Sequence, residues 1–177
     1  SGHIADVGYD LYLELLEEEM QRLRGEESQK KEEVEINSPF PALLPETFVP
    51  DMKTRLSLYK RLSELTVEES LKGMESELQD RYGQLPQETI ELFWLLKTKI
   101  LLRRLGFRSI SIGRQALSVI GGAQPKVDSL KLMSLIQKQP KKFSITPDSK
   151  LVVRGEYNTL KGVYDDLRNI IQAITNL

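Results

Sequence analysis

The chain has 177 residues, 40% of them hydrophobic and 29% charged, with no cysteine and a single histidine, His3. That is enough apolar material for a packed core, while the missing thiols exclude a disulfide framework or a thiolate metal site and fit a reducing compartment. The formal net charge of −1 conceals a split: residues 1–37 carry 4 basic against 11 acidic side chains, a net of −7, and the remainder carries 21 against 15, a net of +6. Such asymmetry points to two structural regions rather than one uniform surface.

No apolar run approaches the roughly 18 residues of a membrane span, and no basic segment followed by an apolar run marks a signal peptide. Tyr12, Leu15, Leu16, Met20 and Leu23 recur at helical spacing and predict a helix over Tyr9–Arg24. Gly25 ends it, and Glu26–Glu33 reads as a polar linker. This helix has few sequence neighbours to pack on, so residues 1–37 are assigned to the end of a preceding region and residues 38–177 to a domain of their own.

Val34–Ile36 predicts a short strand. Pro39, Pro41, Pro45 and Pro50 forbid a helix through the next stretch and favour an extended connection. Asp51 reads as the N-cap of a helix whose inward face is Met52, Leu56, Tyr59 and Leu62. Thr66 and Glu69 have the spacing of a capping box, and Val67, Leu71, Met74 and Leu78 step along one face until Gly83. Pro86 suits the first turn of a third helix running to Leu105-Gly106, apolar nearly all round and therefore expected in the middle of the packing.

The periodicity then changes to alternation. Ile110 and Ile112, then Leu117 and Val119, predict one hairpin. Asp128–Gln139 predicts a helix closed by Pro140. Phe143 and Ile145, the Thr146-Pro147-Asp148-Ser149 turn and Leu151–Val153 predict a second hairpin. Asn158 is placed as the cap of a last helix with Val163, Tyr164, Leu167, Ile170, Ile171 and Ile174 inward. Helices first and hairpins later predict an α+β fold: helices packed on a small, mainly antiparallel sheet made of two hairpins.

Chemistry is sparse. His3 stands alone near the terminus, so a histidine-based triad or metal cluster is excluded, and no phosphate-binding glycine motif occurs. No catalytic residue, cofactor site or metal site is assigned. The basic run Lys97, Lys99, Arg103, Arg104, Arg108 and Arg114, with Lys138, Lys141 and Lys142 as a second cluster, offers a nucleic-acid-binding alternative. Against it, cations are favoured at the wet edges and C-terminal ends of helices without binding anything.

The helix beginning near Glu68 carries the more informative anomaly. With residues spaced by roughly 100°, Glu69, Gly73, Glu77 and Asp80 share one flank of the apolar stripe. Glu68 has Lys72 four residues on, and Glu77 has Arg81. Asp80 has Ser76 and Gln84 at those positions and sits in the last turn, where the helix dipole disfavours an acid. Gly73 on the same flank lets another chain approach closely, at a cost in helix propensity. A local rule broken without compensation suits a partner-binding surface, so Glu77, Asp80 and Arg81 are its candidate residues.

The run Leu43-Leu44-Pro45-Glu46-Thr47-Phe48-Val49-Pro50-Asp51, followed by Thr54–Arg61, resembles the opening of the C-terminal domain of bacterial transcription-repair coupling factors. Glu77–Pro86, Leu105–Arg108 and Leu135–Pro140 follow in that family's order, and Ser1–Ile4 with Val7–Tyr12 resembles the exit from its motor region. The resemblance implies a cytoplasmic, non-membrane role inside a large ATP-driven DNA translocase that displaces stalled RNA polymerase and recruits UvrA for excision repair. ATP and Mg belong to the parent's motor region, not to this chain. In the family this domain folds back onto the UvrB-like module of the same polypeptide, covers the surface UvrA needs and restrains the motor. Glu77 and Asp80, with Arg81, occupy what look like the family's contact positions.

Overall fold

The structure is a computed structural model that describes residues 33–176 together with Leu16, Glu19, Met20 and Leu23. The helix expected over Tyr9–Arg24 lies outside the described residues apart from those four positions, which are helical, and His3 lies outside them too. The chain divides into two compact units, one containing Pro41–Leu96 and the other Glu32–Phe40 with Lys97–Leu177.

In the first unit, Asp51 caps helix α1 (Met52–Ser63) by accepting from the Thr54 backbone N–H at 2.8 Å. The buried face of α1 is Arg55, Leu58, Tyr59 and Leu62, so the expected inward stripe is rotated: Met52 is exposed and Leu56 only half-buried. The proline-rich segment causes the rotation. Its backbone pairs with itself only in part, Phe48 and Val49 N–H donating to the Pro45 carbonyl, and the other buried backbone groups need partners. The Tyr59 hydroxyl accepts from the Leu44 N–H at 2.7 Å, and Arg55 Nη1 donates to the Val49 and Pro50 carbonyls at 2.7 and 3.0 Å. Arg55 is thus an internal clamp rather than a solvated cation.

Helix α2 (Glu68–Tyr82) buries Leu71, Met74 and Leu78 and ends at Gly83, whose φ of 87° suits glycine. The expected Thr66–Glu69 capping box does not form. The helix begins one residue later, with Val67 at the N-cap in extended conformation and no side-chain cap bond, which puts Glu69 at the second helical position instead of the third. Val67, expected inward, is 51% exposed for the same reason. Glu68 and Glu69 occupy the first turn and serve the dipole instead. Helix α3 (Gln87–Arg104) belongs to this unit up to Leu96 and to the second from Lys97, and it buries Leu92, Phe93, Leu95, Leu96, Leu101 and Leu102 around its circumference.

The second unit holds a five-stranded mixed sheet in the order β1-β2-β3-β5-β4, from β1 (Glu35–Asn37), β2 (Phe107–Ile112), β3 (Ala116–Gly121), β4 (Phe143–Ile145) and β5 (Lys150–Arg154). Both expected hairpins are present, β2–β3 and β4–β5, joined by antiparallel pairing of β3 with β5. Strand β1 adds in parallel to β2, Ile36 opposite Ile110; it lies before residue 38, where the sequence suggested a boundary. Register builds one apolar face, with Ile36, Ile110, Val119, Leu151 and Ile145 in one row and Ile112, Leu117, Val153 and Phe143 in the next. Helix α4 (Ser129–Lys138) is capped by Asp128 and packs against α5 (Leu160–Ile174). The α5 cap is Thr159, accepting from the Gly162 N–H, rather than the expected Asn158; its buried stripe contains Val163, Tyr164, Leu167, Ile170, Ile171 and Ile174. The fold is α+β, with five helices and one mixed sheet among the described residues.

Candidate partner-binding surface

Burial of Leu71, Met74 and Leu78 fixes the rotation of α2 and sends Gly73, Glu77 and Asp80 to its outer flank. Glu77 is held by Arg61 of α1 in a two-pronged pair, Nη1 to Oε1 at 2.9 Å and Nη2 to Oε2 at 2.6 Å. Arg81, expected as its partner, is only 3.9 Å away. The Arg61 hydrogen bonds hold the Glu77 carboxyl below the usual carboxylate range, and the same bonds raise the Arg61 guanidinium. Arg81 lies over the Tyr82 ring at 5.1 Å, and Tyr82 meets Phe48 edge-on at 5.5 Å. Asp80 is exposed and makes no ion pair among the described residues.

Glu77, Asp80 and Arg81 are therefore brought together on one exposed flank, but their roles differ. Glu77 is already neutralised by Arg61, a residue 16 positions away that sequence periodicity on a single helix could not reveal. Asp80 is the acid of this trio that makes no ion pair among the described residues.

The basic run does not form one surface. Lys97 and Lys99 are buried along α3, Lys99 pairs with Glu33 at 3.3 Å, and Arg103 lies 3.7 Å from the same carboxylate. Arg114 stacks over Phe40 at 5.3 Å. In the second cluster, Lys142 donates to Asp166 at 2.9 Å, while Asp166 also accepts from the Tyr157 hydroxyl at 2.7 Å. Burial, and then this carboxylate, push the Tyr157 phenol well above its ordinary value. Asp165, its neighbour, pairs with Lys161 along α5. These contacts brace the fold, while Arg104, Arg108, Lys138 and Lys141 are exposed. Among the described residues no cluster of three or more His, Asp and Glu side chains could hold a metal ion, and no helix is long and apolar enough to cross a membrane.

The model of the TRCF domain family matches residues 38–132. The transcription-repair-coupling factor of Myxococcus xanthus is 36% identical over 155 residues, 88% of this chain and 13% of that protein. That of Escherichia coli K12 is 32% identical over 157 residues, 85% of this chain and 14% of that protein. The chain thus spans about a seventh of the length of these relatives. Among solved structures, the crystal structure of the C-terminal domain of a transcription-repair coupling factor shares the fold, with a TM-score of 0.65 over 80% of this chain and 93% of that one at 14% identity. The chain belongs to the TRCF domain family, the C-terminal domain of bacterial transcription-repair coupling factors.

Proposed function

We propose that this chain is the docking and autoinhibitory domain of a transcription-repair coupling factor. It binds the UvrB-like module of its own polypeptide, masks the surface that UvrA needs and restrains an ATP-driven DNA translocase that acts on stalled RNA polymerase. Residues 38–177 together with strand β1 (Glu35–Asn37) are the regulatory domain, the residues before β1 the end of the motor region, and ATP and Mg act in that motor rather than here. The protein works in the cytoplasm. The observation that carries the reading is the outer flank of α2, where Asp80, next to Glu77 and Arg81, makes no ion pair among the described residues at a helix end that disfavours an acid.

A tethered contact need not be tight. Tethering gives effective concentrations up to roughly millimolar, so a contact with a millimolar Kd, worth about 4 kcal/mol, sits near balance and is readily released. Truncating the parent before Pro39 tests the reading. DNA-stimulated ATPase activity and UvrA affinity should rise together, and a well-folded truncation in which neither changes would contradict it. A fall in DNA affinity alone would favour a nucleic-acid-binding module instead.

A further inference from the structure

Strand β1 is the odd member of the sheet. Strands β2, β3, β5 and β4 form a continuous antiparallel sheet without it, whereas β1 pairs in parallel, through three residues, with β2 alone. Parallel pairing is slightly weaker per residue, and an edge element with few ladder bonds opens before the strands inside it. Two things hold β1 in place. Val34 and Ile36 are buried, and Glu33, two residues before the strand, is gripped by α3. Lys99 Nζ lies 3.3 Å from Glu33 Oε2, and Arg103 Nη2 lies 3.7 Å from Glu33 Oε1. We propose that residues 33–37 are a releasable tether. Glu33 is its catch, and opening the catch lets β1 leave the sheet while the rest of the domain stays folded.

The placement of the charges suits a catch. Lys99 and Arg103 stand one turn apart on α3 and converge on the two oxygens of one carboxylate. The Lys99 side chain is only 9% exposed, so one jaw is fixed within the fold, while Glu33 at 35% and Arg103 at 41% remain open to solvent screening. Such a contact holds but can be broken. Release is local because Phe40, buried beneath the Arg114 guanidinium at 5.3 Å, anchors the chain downstream of β1. The point of attachment then moves from Glu33 to Ser38, five residues that span roughly 17 Å at about 3.4 Å each. The domain is C-terminal in proteins about seven times its length, so a pull from the preceding region reaches Glu33 before any other part of the sheet. The tether rests on the reading of that region as a motor, and not on the docking contact.

The test is residue-resolved hydrogen exchange of the 177-residue chain, comparing wild type, Glu33→Ala and Arg103→Gln. In wild type the protected β1 amides should exchange faster than those of β3, through an opening that urea barely promotes, since local release exposes little surface. Glu33→Ala should speed β1 exchange by about tenfold or more and leave the β3 amides unchanged. Arg103→Gln, which removes the longer contact, should act in the same direction and less. One common rate for β1 and β3, or unaltered β1 exchange in Glu33→Ala, would overturn the catch. In the parent, β1 exchange should rise several-fold while ATP is hydrolysed on DNA, and no rise during turnover would overturn the tether. A parent that hydrolyses no ATP on DNA would overturn the motor reading and the tether with it.

Discussion

The clasp between Arg61 and Glu77 predicts a small stability effect with a distinctive pH signature. Both side chains are substantially exposed, 46% and 35%, so the pair cannot be assigned a buried-ion-pair energy. Exposed pairs couple by about 0.2–1 kcal/mol, and the two-pronged geometry places this one in the upper half of that range. At about 2–4 °C per kcal/mol for a chain of this size, Glu77→Ala and Arg61→Ala should each lower the Tm by no more than a few degrees. The double variant should be little worse than either single one. Glu77 has a folded-state pKa below its unfolded value because Arg61 hydrogen-bonds the carboxylate. Its stabilisation is therefore complete above the unfolded value of about 4.3 and disappears as pH falls through the lower folded value. Urea unfolding of the four-member cycle should give a positive coupling at neutral pH that vanishes in acid. A coupling above about 2 kcal/mol, or one that survives in strong acid, would refute the description of this pair as a solvent-screened surface clasp. Asp80→Ala is the control: it removes an unpaired acid from a helix end, so stability should hold or rise slightly.

Gly106 has φ +75°, and a Cβ there would meet the Gln124 carbonyl oxygen at 2.7 Å, so Gly106→Ala should cost about 1–3 kcal/mol in chemical denaturation. Asp166→Ala leaves the Tyr157 hydroxyl and Lys142 without their acceptor and should cost about 1–3 kcal/mol; in wild type, ultraviolet titration should find a phenol that ionises above the ordinary value of about 10 and is lost in Tyr157→Phe. Because that phenol is held neutral, its contribution to stability is complete below the ordinary tyrosine value and is lost as pH rises from there through the raised value. The chain should neither hydrolyse nor bind ATP, and nucleotide-dependent amide protection in hydrogen exchange would contradict this.

Features governed by near neighbours were legible in the sequence. Asp51 caps its helix as read, Gly83 stops α2, and alternation located both hairpins to within a residue or two. Features decided by distant partners were not. Arg55 looks like a solvated cation until the proline-rich segment presents two carbonyls to it. The Thr66–Glu69 spacing is correct for a capping box, but the helix starts one residue too late to use it. The α2 flank could be drawn from helical geometry alone because its members lie on one element. The Arg61–Glu77 pair could not, since it depends on α1 packing against α2. Parallel pairing of β1 was likewise hidden, because its partner is separated from it by three helices.

The most direct measurement asks whether the chain and UvrA exclude each other on the UvrB-like module. Pre-bound wild-type chain should be displaced by UvrA in a concentration-dependent way, with no ternary complex in sedimentation. Asp80→Ala, folded and equally stable, should bind the module more weakly and compete poorly, since losing one partner of a desolvated charge pair costs about 2–5 kcal/mol. A stable complex of all three components, or undiminished competition by Asp80→Ala, would contradict masking of the UvrA surface through the α2 flank.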